Sequence, residues 1–430
     1  MVTYWIATAV WGISSVVWVE VVRDLYHVLA HYWLPLYRLH AWHHRAFRSD
    51  LTPVSESVYR QANWYNDVPE ASVMLLLSLL ICWFAYLWAP EQRLPALAGS
   101  VYSLVFLAGA IARGIGIKWA DQLTDKTHLP GSFLTPPASW IVNRPYHWKH
   151  HFDNPKAYYS ATFTLLDKLM GTAVSLKGKT IAVTGASGTL GRALLQHLHQ
   201  KGAKLIALTS KEQTVSLIVK GKKQPVKTIT WQVGKESELA AKLQQVDILI
   251  LNHGINLHGE RSEQAIAKSY EVNTFSSWRL LELFIATVKT NKEIACKEVW
   301  VNTSEAEVSP AFSPLYELTK RALGDLVTMR RLDAPCVVRK LILGPFKSNL
   351  NPIGVMSPNW VAQQIINLAV RDVRNIIVTI NPLTFVAFPL KEFWVGIYFK
   401  LFSHKGMSKK RSRRNDEPTQ QIWRHGDAEN

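Results

Sequence analysis

The sequence predicts two fold classes in one chain: an α-helical membrane domain followed by an α/β domain with a doubly wound parallel sheet. Three observations predict this arrangement. Three apolar segments in the first part of the chain have the length, about 20 residues, that a helix needs to cross a bilayer. Tight clusters of histidine flank these segments. Further along, a glycine-rich turn lies between a strand pattern and a helix pattern, as in nucleotide-binding α/β domains.

Composition narrows the class of protein. The 430 residues leave room for more than one domain. Cys82, Cys296 and Cys336 are far apart and form no CxxC pattern, which favours a reducing compartment without a disulfide framework. The net charge of +17 is high, but no nucleic-acid-binding motif accompanies it. Much of this charge lies beside apolar segments, so attraction to a membrane surface explains it better, and we expect no nucleic-acid partner.

The predicted membrane spans are Thr3–Val22, Ala71–Trp88 and Ala96–Ile117. The last two are joined by residues 89–95, which is short enough to force a helical hairpin. That loop carries Arg93 as its only lysine or arginine, whereas many of these residues lie at the other ends of the spans. By the positive-inside rule the histidine clusters and the α/β domain are expected on the cytoplasmic side. The alternative is that these segments are buried helices of a core.

The histidine clusters predict a metal site. They contain, in chain order, His27 and His31, then His40, His43 and His44, then His147, His150 and His151. Positions i, i+3 and i+4 share one face of a helix, so each cluster directs its imidazoles one way. Imidazole suits iron, zinc and copper, and eight nitrogens are twice the number that one tetrahedral ion takes. We therefore expect two metal ions, against the alternative of surface or stacking histidines.

The order HxxxH, HxxHH, HxxHH resembles the fatty acid hydroxylase/sterol desaturase superfamily of membrane di-iron enzymes. Val68–Glu70 resembles the family's Pro-x-Glu segment, and Phe163–Thr172 resembles its closing signature, with Leu166 in place of the usual tryptophan. The family also commonly has a hairpin before its first box, where this chain has one span. The resemblance implies two irons, with ligands at His27, His31, His40, His43, His44, His128, His147, His150 and His151.

The same resemblance implies O2-dependent hydroxylation or desaturation of a lipid, sterol or isoprenoid. Such chemistry consumes two electrons per turnover, and the chain shows no haem, flavin or ferredoxin motif. A separate electron-donor protein is therefore expected.

The α/β domain begins with a strand, a turn and a helix. Residues 180–183 form a buried strand pattern, Thr184–Gly191 is the glycine-rich turn, and Arg192–Gln200 has helical periodicity. A second strand is expected at Lys204–Leu208, after Gly202. Glycines let the backbone turn tightly and approach a pyrophosphate, which then lies at the N-terminus of the helix.

The spacing TGxxxGxG resembles the short-chain dehydrogenase/reductase family. The matching landmarks are, in order, Thr184–Gly191, Asp247–Gly254, Asn273, Val299–Ser304, the YxxxK pair Tyr316 and Lys320, and Leu343–Ser348. The resemblance implies that Asn273, Ser304, Tyr316 and Lys320 are catalytic. Leu251 and His253 depart from the family's Asn-Asn-Ala-Gly motif. The gap from Ser304 to Tyr316 is one residue short, so Thr303 could share the role of the serine.

The chemistry fits these residue types, because an ammonium beside a tyrosine lowers its pKa and lets it exchange a proton near neutral pH. The residues expected to bind the nucleotide are Gly185, Ser187, Gly188, Leu190, Gly191, Ser210, Lys211, Asn252, Gly254, Tyr316, Lys320 and Ser348. The second strand is followed by Ser210 and Lys211 instead of an acidic residue, which favours NADP(H) over NAD(H).

We therefore predict a bifunctional membrane oxidoreductase with four parts. Residues 1–172 form the di-iron membrane domain, 177–382 the Rossmann-type dehydrogenase domain, 383–403 an interfacial amphipathic segment and 404–430 a basic disordered tail. The segment at 383–403 could instead be a lid over the substrate cleft. The alternative function is a membrane-anchored dehydrogenase whose histidine half is only an anchor, and a scaffold with both sites inactive is a third.

Overall fold

The computed structural model describes residues 1–117 and 119–404. Lys118 and nearly all of the tail predicted to be disordered, residues 405–430, lie outside the described residues.

The N-terminal half is helical. Its α-helices are α1 (Val2–Tyr32), α2 (Leu34–Arg45), α3 (Glu56–Ala62), α4 (Val68–Trp88), α5 (Arg93–Ala96), α6 (Ala98–Gly114), α7 (Ala120–Thr124), α8 (Arg144–Phe152) and α9 (Leu165–Met170). A π-helix at Asn63–Asp67 joins α3 to α4, and short 3-10 helices occupy Pro90–Gln92 and Lys126–His128. The helical stretches Val2–Tyr32, Glu56–Trp88 and Pro90–Gly114 are long and apolar enough to cross a membrane, by length and composition only.

Small residues let the long helices approach closely. Gly99 on α6 donates its backbone N–H to the Ser15 hydroxyl on α1, at 2.9 Å. A Cβ at Gly99 would lie 2.4 Å from the Ser15 carbonyl oxygen, so only glycine fits there. The Ser78 hydroxyl on α4 donates to Ser100 on α6 at 2.9 Å. The segments predicted as spans therefore form a packed helical bundle, and α1 continues without a break from the first of them through the first histidine cluster.

The C-terminal half is an α/β domain. Its strands are β1 (Thr180–Thr184), β2 (Lys204–Thr209), β3 (Ser216–Val219), β4 (Lys222–Pro225), β5 (Lys227–Thr230), β6 (Ile248–Leu251), β7 (Glu298–Asn302), β8 (Val337–Leu343) and β9 (Asn375–Val378). Its α-helices are α10 (Thr189–Gln200), α11 (Ala240–Leu243), α12 (Glu263–Tyr270), α13 (Ser276–Ile285), α14 (Asn291–Cys296), α15 (Pro314–Arg331), α16 (Pro358–Ala369) and α17 (Thr384–Phe402).

Seven parallel strands form the main sheet in the order β5-β2-β1-β6-β7-β8-β9. Helices α10 and α16 cover one face, and α11, α13 and α15 cover the other, each through a buried apolar cluster. The predicted doubly wound parallel sheet is thus confirmed. The antiparallel hairpin β3–β4 is an insertion before β5 that the sequence patterns did not predict.

The two halves pack against each other through α8, the helix that carries the third histidine cluster. Trp148 on α8 lies in an apolar cluster with Ala295 and Cys296 of the α/β domain. Lys179 is buried and pairs with Asp153, with 2.5 Å between Nζ and Oδ1. The ion pair therefore fixes the start of the α/β domain against the segment that follows α8.

Candidate active site and candidate metal centre

The glycine-rich turn lies at the carboxyl end of β1. Gly185 has a φ of 62°, and a Cβ there would lie 3.0 Å from the Cα of His253. A Cβ at Gly191 would lie 2.3 Å from the Gly185 carbonyl oxygen, so glycine is needed for α10 to pack against the turn. The first turn of α10 leaves its backbone N–H groups free to bind a phosphate. This is the arrangement that the TGxxxGxG spacing predicts.

The other end of the predicted nucleotide site lies just beyond β2. Ser210 and Lys211 both line the cleft. The Lys211 backbone N–H donates to the Thr209 hydroxyl at 3.2 Å, and the Ser187 and Thr209 hydroxyls lie 3.1 Å apart. A hydroxyl and an ammonium group are therefore available where NAD-dependent enzymes place a carboxylate.

Three side chains form the candidate catalytic group. Tyr316 and Lys320 lie one turn apart on α15, and Ser304 follows β7. The Lys320 Nζ donates to the Asn302 carbonyl at 2.8 Å and lies 5.8 Å from the centre of the Tyr316 ring. All three side chains line the same cleft. The arrangement can hold a substrate oxygen between two hydroxyls while a cation lies behind the phenol.

Burial sets the charge of this group. Burial lowers the pKa of Lys320 to about 8, with partial opposition from the Glu307 carboxylate. Burial raises the pKa of Tyr316, and a hydrogen bond with Ser304 acts in the opposite direction. The pKa of Lys320 is therefore moved toward neutral pH, whereas that of Tyr316 is moved away from it, so the lowering of the tyrosine pKa that the sequence pattern predicts is absent before substrate and nucleotide bind.

Asn273 supports the catalytic group from a π-helix at Glu271–Phe275. Its amide oxygen accepts the Ile255 backbone N–H at 2.8 Å, and its amide nitrogen donates to the Thr319 hydroxyl at 3.1 Å. Asn273 is fully buried and does not line the cleft. It therefore ties the segment after β6 to α15, next to Lys320, and acts in this structure as a positioning residue.

The hydroxyl next to Tyr316 belongs to Ser304. Thr303 is fully buried, and its hydroxyl has no hydrogen-bond partner among the described residues. Ser304 lines the cleft, whereas Thr303 does not. The positive φ of Ser304, 84°, turns its side chain away from the strand direction. The geometry favours Ser304 for this role, so the shortened gap to Tyr316 does not move it to Thr303.

His253, the departure from the family motif, forms part of a polar chain under the cleft. Its Nδ1 lies 2.9 Å from the Thr184 hydroxyl and its Nε2 lies 3.2 Å from the Ser276 hydroxyl. Ser276 donates to Glu236 at 2.6 Å. Burial lowers the pKa of His253 to about 3, so the imidazole is neutral. It links β1, β6 and α13 and fixes the floor of the nucleotide site.

The cleft has a volume of about 1040 Å³. Every residue predicted to bind the nucleotide lines it except Gly191, which packs beneath the turn. The sequence patterns missed Trp231 beyond β5, Glu305 after Ser304, and the segment 349–355. Glu305 begins a short 3-10 helix and the others lie outside the helices and strands, and no spacing motif marks them.

The histidines form two groups of four, each of which can hold one metal ion. Within a group, the candidate ligand nitrogens lie within 4.8 Å of one another. The first group is His27, His31, His40 and His150, and the second is His43, His128, His147 and His151. In the second group the Nε2 atom of His128 lies 2.9 Å from that of His147 and 3.2 Å from that of His151. Nitrogens about 2 Å from one ion have separations of this order.

The far side of several rings is fixed, as expected for metal ligands. His27 Nδ1 lies 2.7 Å from the Tyr159 carbonyl, and His40 Nδ1 lies 2.9 Å from the Asn66 side-chain oxygen. His128 Nδ1 lies 2.5 Å from a carboxylate oxygen of Asp125. When Nδ1 carries the proton for such an acceptor, the lone pair of Nε2 faces the centre of the group. These histidines therefore fit a two-metal centre.

The remaining predicted ligand, His44, belongs to neither group of four. Its Nε2 lies 3.1 Å from that of His40 and 3.4 Å from that of His31. Its ring centre is also 4.8 Å from that of His151, so it lies between the groups. All nine predicted histidines are thus brought together.

The two motif segments outside the histidine boxes have structural roles. Glu70 pairs with Arg23 at 3.2 Å, which ties α4 to α1. Asp167 is fully buried and accepts the backbone N–H groups of Tyr159 and Ser160, at 2.9 and 2.8 Å. Asp167 therefore holds the loop whose carbonyl contacts His27.

Comparison with known proteins identifies the class of the C-terminal half. The family model for short chain dehydrogenases matches residues 179–339. Over 85 residues the chain is 33% identical to a 3-oxoacyl-[acyl-carrier-protein] reductase of Rickettsia bellii. The aligned segment covers 19% of this chain and 35% of that protein. A short chain dehydrogenase from Burkholderia cenocepacia, solved in complex with NADP, is 18% identical, with a TM-score of 0.44, over 54% of this chain and all of that one. The C-terminal half is a short-chain dehydrogenase/reductase domain.

A similarity along nearly the whole chain defines the family more closely. The monoglucosyldiacylglycerol epimerase of Synechocystis sp. is 60% identical over 409 residues, which is 94% of this chain and 100% of that protein. The chain belongs to the same family as that epimerase. The comparisons do not show a relationship between the N-terminal half and the fatty acid hydroxylase/sterol desaturase superfamily.

Proposed function

We propose that this protein is a membrane enzyme that inverts one hydroxyl-bearing carbon in the sugar headgroup of a monohexosyl diacylglycerol. The observation that carries the proposal is the 60% identity with a monoglucosyldiacylglycerol epimerase along that protein's whole length. The intact group of Ser304, Tyr316 and Lys320 in an open cleft supplies the chemistry that such an inversion needs. This revises the function expected from the sequence, in which the dehydrogenase half interconverts a lipid alcohol and a carbonyl.

The proposed reaction begins with oxidation of one sugar hydroxyl. A nicotinamide nucleotide, which the Thr184–Gly191 turn and Lys211 would hold in the cleft, would supply both the hydride acceptor and the hydride donor for this carbon. Tyr316, in its phenolate form, removes the hydroxyl proton as the carbon becomes a ketone, and Ser304 donates a hydrogen bond to the same oxygen. Lys320 stabilises the phenolate, because its ammonium lies behind the tyrosine ring.

The second half of the reaction reverses these steps with the sugar turned over. The ketone carbon is planar and has two faces. When the sugar turns its other face toward the hydride donor, reduction would give the epimeric alcohol. Tyr316 returns the proton that it took. Electrons and protons balance within one turnover, so this half of the protein needs no external reductant. The cleft of about 1040 Å³ is lined by both the predicted nucleotide-binding residues and the catalytic group, so the nucleotide and the headgroup would share it.

NADP(H) is the proposed nucleotide. Lys211 and Ser210 line the cleft beyond β2, where they can contact a ribose 2′-phosphate. The proposed domains remain residues 1–172, 177–382 and 383–403, with the three apolar helices in a bilayer and both sites on its cytoplasmic side.

The test of the epimerase proposal uses the full chain in liposomes. Monoglucosyl diacylglycerol and catalytic NADP+ are added, and the headgroup sugars are separated and quantified over time. We expect conversion to a second monohexosyl diacylglycerol of the same mass, with no net change in nicotinamide absorbance. No second hexose with either NADP+ or NAD+ would refute the proposal.

A second candidate function, O2-dependent hydroxylation or desaturation of a lipid, is favoured by the histidine geometry. The two groups of four histidines, with His44 between them, would hold two metal ions in a di-iron centre. Bound iron of this kind would supply dioxygen activation, with electrons from a separate donor protein. His147, His150 and His151 come from α8, which packs against the dehydrogenase domain, so both candidate sites share one scaffold.

The metal proposal is tested by elemental analysis of the purified chain. We expect close to two ions, with iron as the predicted metal, and a severe loss in His43→Ala and His150→Ala, because each removes a ligand from a different group. His197→Ala is the matched control, because this half-buried histidine on α10 contacts Asn359 and belongs to neither group of four. Equal metal content in all of these proteins would refute the centre.

A further inference from the structure

Helix α17 directs Lys391 and Glu392 toward the protein, whereas many of its apolar side chains, and Lys400 near its C-terminal end, are exposed. Lys391 pairs with Glu307 at 2.7 Å and with Asp325 at 2.6 Å. Glu392 pairs with Lys340 at 2.7 Å and with Arg331 at 3.0 Å. These contacts fix the helix against α15 and β8, so its rotation about its own axis is set by ion pairs.

The outward face of α17 consists mainly of large apolar side chains. Trp394 is 65% exposed and Phe402 is 72% exposed, and Phe385, Leu390, Phe393 and Leu401 are exposed as well. The sequence predicts an interfacial amphipathic segment here, and the structure has a helix in which Lys391 and Glu392 face the protein, because they pair with Asp325 and Arg331 on α15 and Lys340 on β8.

The exposed apolar surface continues to the mouth of the cleft. Ile380 lines the cleft and is exposed, and Leu383, at the start of α17, is exposed next to it in the chain. On other parts of the rim, Phe312 is 96% exposed and Ile353 is 88% exposed, although both line the cleft. Among the described residues, none of α17 itself lines the cleft, so the helix is not a lid over it.

We propose that the outward face of α17 and the apolar rim of the cleft form one surface that lies in the lipid bilayer. This surface lets the acyl chains of a lipid stay in the membrane while its headgroup enters the cleft. The entry of a lipid headgroup into the cleft rests on the proposed epimerase function, whereas the position of the surface in the bilayer does not.

Three features favour a bilayer over a second copy of the chain as the occupant. The same chain carries three helices able to cross a membrane by length and composition. The exposed face contains Trp394 and Tyr398, and such amphipathic aromatic side chains favour the interface between lipid and water. The sequence after α17 is strongly basic, with Lys405, Lys409, Lys410, Arg411, Arg413 and Arg414. This charge complements anionic lipid headgroups and opposes self-association.

The mouth of the cleft also indicates the kind of headgroup. Asn256, Asn351 and Asn381 line the cleft together with Ser309 and Ser313, and these side chains are polar and uncharged. Amides and hydroxyls suit a neutral headgroup with many hydroxyls. An anionic headgroup would call for arginine or lysine, and among the described lining residues the only ones are Lys211, at the predicted nucleotide phosphate, and Lys320, in the catalytic group.

The test measures contact with lipid directly and does not depend on turnover. The full chain with Cys82→Ser is labelled with a fluorophore at Trp394→Cys or at Phe312→Cys, and reconstituted in liposomes of phosphatidylcholine and phosphatidylglycerol. Ile218→Cys on β3 is the matched control, because Ile218 is as exposed as Trp394 but lies on the inserted hairpin. Lipids with a nitroxide on the acyl chain and aqueous iodide serve as the two quenchers.

We expect acyl-chain nitroxide to quench both test labels at least about twofold more than the control, since interfacial surfaces bury about 5–10 Å into the bilayer. Equal quenching at all three positions would overturn the proposal. Protection of the Trp394→Cys label from iodide without nitroxide quenching would identify a second copy as the occupant and would also overturn it. Quenching at Trp394→Cys alone would overturn the inclusion of the cleft rim. If the labels are quenched but the unlabelled parent chain converts no hexose, the epimerase function fails and the membrane surface stands.

Discussion

Replacement of Tyr316 by Phe removes one oxygen atom from the centre of the proposed reaction. That hydroxyl has Ser304 as its hydrogen-bond partner and is the only proton-transfer group proposed for the sugar oxygen. General acid–base catalysis of this kind contributes about 10²- to 10⁴-fold to rate. We expect kcat for hexose epimerisation to fall by about 10³-fold, which corresponds to about 4 kcal/mol of transition-state stabilisation.

The same substitution should leave the rest of the site nearly unchanged. Loss of one neutral hydrogen bond costs about 1 kcal/mol, so the domain should remain folded. Lys320 keeps its bond to the Asn302 carbonyl, and the phosphate turn at Thr184–Gly191 makes no use of the phenol. Nucleotide affinity should therefore change by less than about threefold, because any contact of the Tyr316 hydroxyl with the nucleotide contributes well under 1 kcal/mol to binding.

The assay compares three quantities in one set of proteins: kcat for epimerisation, Kd for NADP(H) by titration, and the thermal midpoint. Tyr270→Phe on α12 removes the same atom at a position that does not line the cleft, so it should keep the activity of the parent protein. If Tyr316→Phe retains kcat within about threefold while Kd is unchanged, the assignment of the acid–base residue is wrong, because the loss of a proton-transfer group costs far more than that.

Three further predictions follow from the same geometry. Ser304→Ala should lower kcat by about 10- to 100-fold because it removes a donor to the substrate oxygen, whereas Thr303→Val should lower it little; equal losses would contradict the choice of Ser304. Because burial lowers the pKa of Lys320 to about 8, its ammonium is lost as pH rises through that value, so kcat should fall above about pH 8; a kcat still rising at pH 9.5 would count against this. Lys211→Asp should shift binding from NADP(H) toward NAD(H), as measured by the two Kd values, and tighter NAD(H) binding by the parent chain would contradict the cofactor proposal.

Periodicity and turn chemistry were enough to predict the frame of the molecule. Each apolar segment of the N-terminal half became a helix, because a run of that length has no other way to satisfy its backbone groups in an apolar setting. The glycine-rich turn placed β1, α10 and the nucleotide cleft, since Gly185 and Gly191 are required by φ and by close packing. The order of short motifs then located Ser304, Tyr316 and Lys320 at one edge of the sheet.

What the sequence did not reveal depends on contacts between distant segments. The division of the histidines into two groups mixes three α-helices and a 3-10 helix, so spacing alone gives no information about it. The orientation of α17 depends on Glu307, Lys340 and Arg331, which lie more than fifty residues earlier in the chain. The sequence alone therefore does not show that Lys391 and Glu392 face the protein. The hairpin β3–β4 is short and mostly exposed, and its patterns are too weak to predict an insertion.

The central claim is that the same hydride leaves one sugar carbon and returns to it, and isotope incorporation tests this most directly. The full chain in liposomes converts unlabelled monoglucosyl diacylglycerol in D2O with NADP+, and mass spectrometry and NMR locate deuterium in the product. Exchange through hydride return predicts a product without deuterium on the inverted carbon, because hydride on the nucleotide does not exchange with water. One deuterium at that carbon would show inversion by proton removal and return, and would contradict the account.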